Sequence, residues 1–134
     1  MARFTDRQGR EWVLDLSVQD LKTVRSELDL NLFDAFADNY RSYNDLVSNP
    51  ERLVAVVYLL CQRQAQVAGV SPEDFGAAIA GDVLASLGDA FTEALIDFFP
   101  NARGREVLRA TVQKAREVMD EKLRLEAEAL QALQ

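Results

Sequence analysis

The feature that most constrains this chain is an unbroken apolar run: Leu53, Val54, Ala55, Val56, Val57, Tyr58, Leu59, Leu60 and Cys61, set inside the segment Asn49 to Gly69. Helix signals bracket it. Pro50 suits a first helical position, where no N–H is required; Asn49 or Ser48 can cap the start with a side-chain oxygen; and Gly69 can adopt the left-handed stop. The reading is a single central helix over the whole segment, apolar on nearly every side. A surface helix keeps a polar face, so this one has to be covered from several directions.

A chain of 134 residues is long enough to do so. At this size about two-thirds of the surface of the unfolded chain is buried on folding. Hydrophobic residues make up 49% and glycine and proline are sparse, which excludes a disordered or fibrous chain. The apolar run is bracketed by Arg52 and Arg63 and falls far short of the ~20 residues that a membrane-spanning helix needs. Cys61, the single cysteine, lies within the run and reads as a buried structural thiol in a reducing compartment. No long apolar stretch follows a basic start, as a signal peptide requires, so a cytoplasmic protein is expected.

Taken in order, the chain starts with a hairpin. Trp12, Leu14 and Leu16 alternate with Glu11, Val13 and Asp15, and the stretch Asp6 to Gly9 supplies a turn. Phe4, Trp12, Leu14 and Leu16 then share one face, which needs helices to cover it. Ser17 caps a following helix with Asp20 in its first turn, and Leu21, Val24 and Leu28 recur at helical spacing up to Asp29 or Leu30. Asp29 to Asp38 suits a second short helix, and Asn39 to Asn49 reads as a loop or frayed turn. Beyond Gly69, Ser71, Pro72, Glu73 and Asp74 form a strong helix start. Asp82 can cap the next helix, carrying Val83, Leu84, Leu87, Phe91, Leu95, Phe98 and Phe99, and Pro100 ends it. From Arg103 to Leu133, Glu, Lys, Arg, Ala and Leu dominate and favour one long helix of about 45 Å. The fold class is mainly α, or α+β: an N-terminal β-hairpin, then a helical bundle of about five to six helices with a long C-terminal helix. Residues 1–100 form the hairpin and helical core, and residues 101–134 the long amphipathic helix, part of the same domain or an oligomerisation or partner-binding extension.

Charge is unevenly placed. The chain carries −7 overall; residues 1–100 hold 8 bases against 16 acids, and no base occurs from Gln64 to Pro100. So acidic a body repels phosphate backbones, which argues against nucleic acid and leaves a solvated surface or a basic protein partner. The chain has no histidine, which removes the commonest general base, the usual triads and most zinc sites. Glu73 with Asp74, and Glu93 with Asp97, are the closest carboxylate pairs; a helix start and a helix face account for them. No calcium loop, phosphate loop or nucleophile elbow is present. No catalytic residue, cofactor or metal is expected.

On the last helix, Leu108, Val112, Ala115, Met119, Leu123, Ala127 and Leu130 form a stripe in steps of four and three. Two readings stand open: a frayed, solvated tail, or a helix that joins copies of the chain or binds a partner, since isolated helices are marginal without packing.

Four groups of residues together carry a likeness. They are Phe4, Asp6, Gly9, Arg10 and Trp12; Asn49, Pro50, Leu53, Tyr58, Leu60 and Cys61; Ser71, Pro72, Glu73, Asp74 and Phe75; and Ala94, Asp97, Phe98, Phe99 and Pro100. In this order they resemble the short tail assembly chaperones of long-tailed bacteriophages and related prophages, over residues 1–100. The resemblance implies a non-enzymatic factor in the host cytoplasm that binds the tape measure protein, whose long apolar helices would otherwise aggregate, and helps to recruit tail tube subunits. In that family a longer frameshifted form is often made as well. The charge and the short apolar run give no reason to expect a membrane or nucleic-acid partner. No motif defines the binding residues, so the stripe supplies the candidates: Leu108, Val112, Met119, Leu123 and Leu130. The alternative is a structural head-to-tail connector or neck subunit that stays in the particle.

Overall fold

A computed structural model of the chain describes residues 2–133. It is mainly helical, and it divides into two compact units, Met1–Phe98 and Phe99–Gln134. The first unit opens with an antiparallel hairpin of β1 (Ala2–Thr5) and β2 (Glu11–Leu14), paired with Phe4 opposite Trp12 and Ala2 opposite Leu14. The alternation works as the residue pattern predicts: Ala2, Phe4, Trp12 and Leu14 are buried, and Leu16 beyond the strand joins them. Gly9 closes the turn at φ +80°, a conformation that costs glycine little, and its N–H donates to the Asp6 carbonyl at 3.0 Å.

Helix α1 (Val18–Leu28) begins with a full capping box. The Ser17 hydroxyl accepts from the Asp20 N–H, and the Asp20 carboxylate accepts from the Ser17 N–H. Asp29 ends it in the left-handed conformation. Where a second short helix is expected over Asp29 to Asp38, the chain makes only a 3-10 turn (Leu32–Asp34), capped by Asn31, which buries Leu32 and leaves Phe33 exposed.

The stretch expected to be a loop, Asn39 to Asn49, is mostly helix: α2 runs Ala37–Val47. Two physical reasons account for the difference. Phe36 provides no side-chain cap and the first turn is irregular, with Asp38 and Tyr40 at positive φ, so the usual start signal is missing. The periodic signal is nonetheless there: Tyr40, Tyr43, Leu46 and Val47 face inward, and Phe36 meets Tyr40 edge-on with ring centres 5.6 Å apart.

The central segment is likewise not one helix. It is α3 (Pro50–Leu60) followed by α4 (Gln62–Ala68), with Cys61 between them at φ −101°, ψ 8°. The Asn49 cap, Pro50 start and left-handed Gly69 stop stand as read. The break re-aims the chain: Leu53, Val56, Val57, Cys61 and Ala65 stay fully covered, while Gln64 reaches the hairpin. With α2 and α4 added, the described residues form seven α-helices rather than five or six.

Helix α5 (Pro72–Ala77) has the Ser71 cap and Pro72 start, and it delivers Phe75 to the centre. Trp12, Tyr58 and Phe4 stand edge-on to that ring at 5.0, 5.4 and 6.4 Å, joining hairpin, α3 and α5 in one aromatic cluster. Helix α6 (Asp82–Phe98) lies along β1 and buries Leu87, Ala90, Phe91, Ala94 and Leu95. Asp82 is its first residue rather than its cap, because Gly81 takes the preceding turn at φ +58°.

The second unit is α7 (Ala102–Ala132), 31 residues and about 45 Å long. Asn101 caps it, accepting from the N–H groups of Arg103 and Gly104.

Candidate partner-binding surface

The polar groups inside the first unit are committed to the fold. The Asp6 carboxylate is covered, and it collects four donors across the hairpin turn. Its Oδ1 accepts from the N–H groups of Gln8 (2.9 Å) and Arg10 (3.0 Å), and its Oδ2 from Arg10 Nε (2.8 Å) and Trp12 Nε1 (2.9 Å). Burial pushes its pKa up, but the hydrogen bonds from Trp12, from the Arg10 side chain and from the two backbone groups outweigh it. The net result is a pKa below the ordinary aspartate value. Tyr43 and Thr92 share a buried 2.7 Å hydrogen bond. Because Thr92 Oγ1 itself donates to the Gly88 carbonyl, the Tyr43 hydroxyl is the donor to Thr92. Cys61 is fully buried, and burial first, then the charge of Asp20, pushes its thiol up to about 12, which makes it a poor nucleophile.

The carboxylate pairs singled out in the sequence lie outside this interior. Glu73 and Asp74 are exposed in the first turn of α5, and Glu93 and Asp97 are exposed on α6. Asp97 shares a shallow cleft of about 330 Å³ with Asp15, floored by Ala2, Leu14, Leu16, Ala94 and Phe98. Among the described residues no three carboxylates or thiols gather closely enough to hold a metal ion, and no helix is long and apolar enough to cross a membrane. The acids Glu73, Asp74, Asp82, Asp89, Glu93 and Asp97 are all exposed along a stretch without a single base. These helices therefore present a negative surface.

The five stripe candidates fall into two groups along α7. Val112 is buried and Leu108 half-buried, whereas Met119, Leu123 and Leu130 are more than half exposed. The sequence reading missed four further exposed apolar residues: Val118, Leu125 and Leu133 beside the distal stripe, and Val107 nearer the start. Val107, Val118 and Leu125 follow a second apolar line one helical position away from the first, and Leu133 continues the first line three residues beyond Leu130. The opposite, charged face is satisfied within the helix: Arg124 donates to both Glu121 and Glu128, and Gln113 to Glu117. Comparison with protein-family models, with curated proteins and with solved structures returns no match.

Proposed function

We propose that this chain is a tail assembly chaperone of long-tailed phages, which binds the tape measure protein and tail tube subunits and keeps the tape measure soluble while the tail is built, without catalysing a reaction. The observation that carries the reading is the apolar row Met119, Leu123, Leu130 and Leu133 on one face of the distal half of α7, with Val118 and Leu125 on a second face. Val118, Met119, Leu123, Leu125, Leu130 and Leu133 are each more than half exposed. A contiguous apolar row of this kind has the character of an interaction site. The partner that suits it is another apolar helix, engaged through side chains at helical spacing. The negative surface of the first unit supports the same reading, since net charge keeps an assembly factor and its cargo from precipitating. Several copies spaced along one extended partner gain from effective concentration.

The test is co-expression with a fragment of a long-tailed phage tape measure protein. The fragment stays soluble and co-purifies with the wild-type chain, and loses both properties with Leu123→Asp/Leu130→Asp, whose circular dichroism matches wild type. Failure of the wild-type chain to retain the fragment at low salt refutes the proposal. Mass spectrometry of finished particles separates a chaperone, which is absent from them, from a connector subunit, which remains.

A further inference from the structure

The hairpin has two edges, and the fold occupies only one of them. In an antiparallel pair, facing residues alternate between those that exchange hydrogen bonds and those whose backbone groups turn outward. The Asp6 N–H donates to the Arg10 carbonyl at 2.9 Å, which sets the phase of that alternation. Phe4 with Trp12 and Ala2 with Leu14 are then bonded pairs, whereas Arg3 with Val13 and Thr5 with Glu11 turn their N–H and carbonyl groups outward. Val13 agrees: Gln64 Oε1 accepts from its N–H at 2.9 Å, and Gln64 Nε2 donates to its carbonyl at 2.7 Å.

Gln64 thereby interrupts the β2 edge. Nothing does the same for β1: among the described residues no group bonds the outward N–H and carbonyl groups of Arg3 and Thr5, and both residues are exposed. Two successive outward residues make a template on which another extended chain can pair by its main chain. The Arg3 side chain does not guard this edge with a bare charge, because its guanidinium is paired with Glu11 at 3.0 Å.

Charge selects the occupant. Helix α6, which lies along β1, carries Asp82, Asp89, Glu93 and Asp97 and no base. A second copy would bring another unit with 8 bases against 16 acids up to the same edge, and the two would repel. A basic segment gains where a second copy loses. We infer that the outer edge of β1 is a docking site for an extended segment of a partner protein, rich in lysine or arginine, which adds as a third strand by pairing its main chain with Arg3 and Thr5 while its bases meet the negative surface of the first unit. The edge belongs to the first unit, so the inference holds whichever partner α7 serves.

The test uses the full chain and a synthetic peptide of about eight residues, alternating valine and threonine between terminal lysines. In the free protein the amides of Phe4, Trp12 and Leu14 exchange slowly with solvent, and those of Arg3 and Thr5 exchange fast. Peptide at ten times its Kd slows exchange at Arg3 and Thr5 about tenfold, read by NMR. Thr5→Pro removes only an outward N–H, a change that edge strands tolerate, so it leaves the bonds to β2 and the Trp12 fluorescence intact and weakens the peptide about tenfold or more. The same peptide methylated on every backbone nitrogen, or with glutamate in place of lysine, binds wild type about tenfold more weakly or worse; these two arms decide the matter even if Thr5→Pro does not fold. Slow exchange at Arg3 and Thr5 in the free protein, no binding of the lysine peptide, or equal binding of the methylated or glutamate peptide would each overturn the inference. Self-association of the chain that Thr5→Pro abolishes would overturn it too, by giving the edge to a second copy.

Discussion

Replacing Asp6 by Asn tests how the hairpin is held to the helices. The substitution preserves shape and leaves one amide oxygen to accept from the Gln8 and Arg10 N–H groups, but the amide nitrogen then faces Trp12 Nε1–H and Arg10 Nε–H, donor against donor. Flipping the amide merely moves the clash to the two backbone donors. Hydrogen bonds to a charged group contribute about 1.5–3 kcal/mol each, so losing two costs about 3–6 kcal/mol. That is a large share of the ~5–15 kcal/mol that stabilises a domain. The expected signature is a melting temperature lower by about 15–30 °C and a lower urea midpoint with an unchanged slope, read from the single tryptophan, Trp12. Trp12→Phe removes one of the donors, so the double variant Asp6→Asn/Trp12→Phe, followed with all members of the cycle by far-UV circular dichroism, should be less than additive by about 1 kcal/mol. The pH dependence follows from the sign of the shift. Asp6 has its folded pKa below the unfolded value, so its contribution is complete above about pH 4 and is lost as the pH falls through the folded pKa. The gap between wild type and Asp6→Asn therefore narrows in acid. A cost under about 1 kcal/mol at pH 7, or a gap that does not narrow, refutes the reasoning.

Three other predictions concern Gln64, which joins α4 to the hairpin, and Cys61, between α3 and α4. Gln64→Ala removes both the Oε1 that accepts from the Val13 N–H at 2.9 Å and the Nε2 that donates to the Val13 carbonyl at 2.7 Å, and should lower stability by about 1–3 kcal/mol in urea unfolding; an unchanged midpoint would show that water replaces the side chain without loss. The Cys61 thiol should resist a thiol reagent at pH 8 in the native protein and react at once in urea. Its raised pKa also means that stability is full below pH 9 and declines as the pH rises from there towards about 12, which alkaline melting curves of wild type against Cys61→Ala would measure.

Much of this architecture was legible because it rests on local rules. Ser17 with Asp20, Asn49 with Pro50, and Ser71 with Pro72 each mark a helix start by supplying an acceptor to orphan N–H groups, and all three function that way in the fold. The period-two pattern around Trp12 and the glycine- and proline-free stretch beyond Gly104 were equally direct. Helix α2 was not legible, because its start at Phe36 lacks a cap and bends through left-handed residues, leaving only the inward spacing of Tyr40, Tyr43 and Leu46 as a sign.

For the candidate surface, the sequence named a stripe but could not say which of its residues are bare. Leu108, Val112 and Met119 look alike in a list, and their very different exposure arises from what surrounds each in three dimensions. By itself, then, the sequence determined the fold class, the hairpin, most helix starts and the long last helix, because these depend on neighbours within a few positions along the chain. Only the tertiary structure decided the break at Cys61, the use of Gln64 as a surrogate strand partner for Val13, and the edge-on gathering of Trp12, Tyr58 and Phe4 around Phe75. These depend on residues tens of positions apart meeting at particular distances, and no local propensity encodes such a meeting.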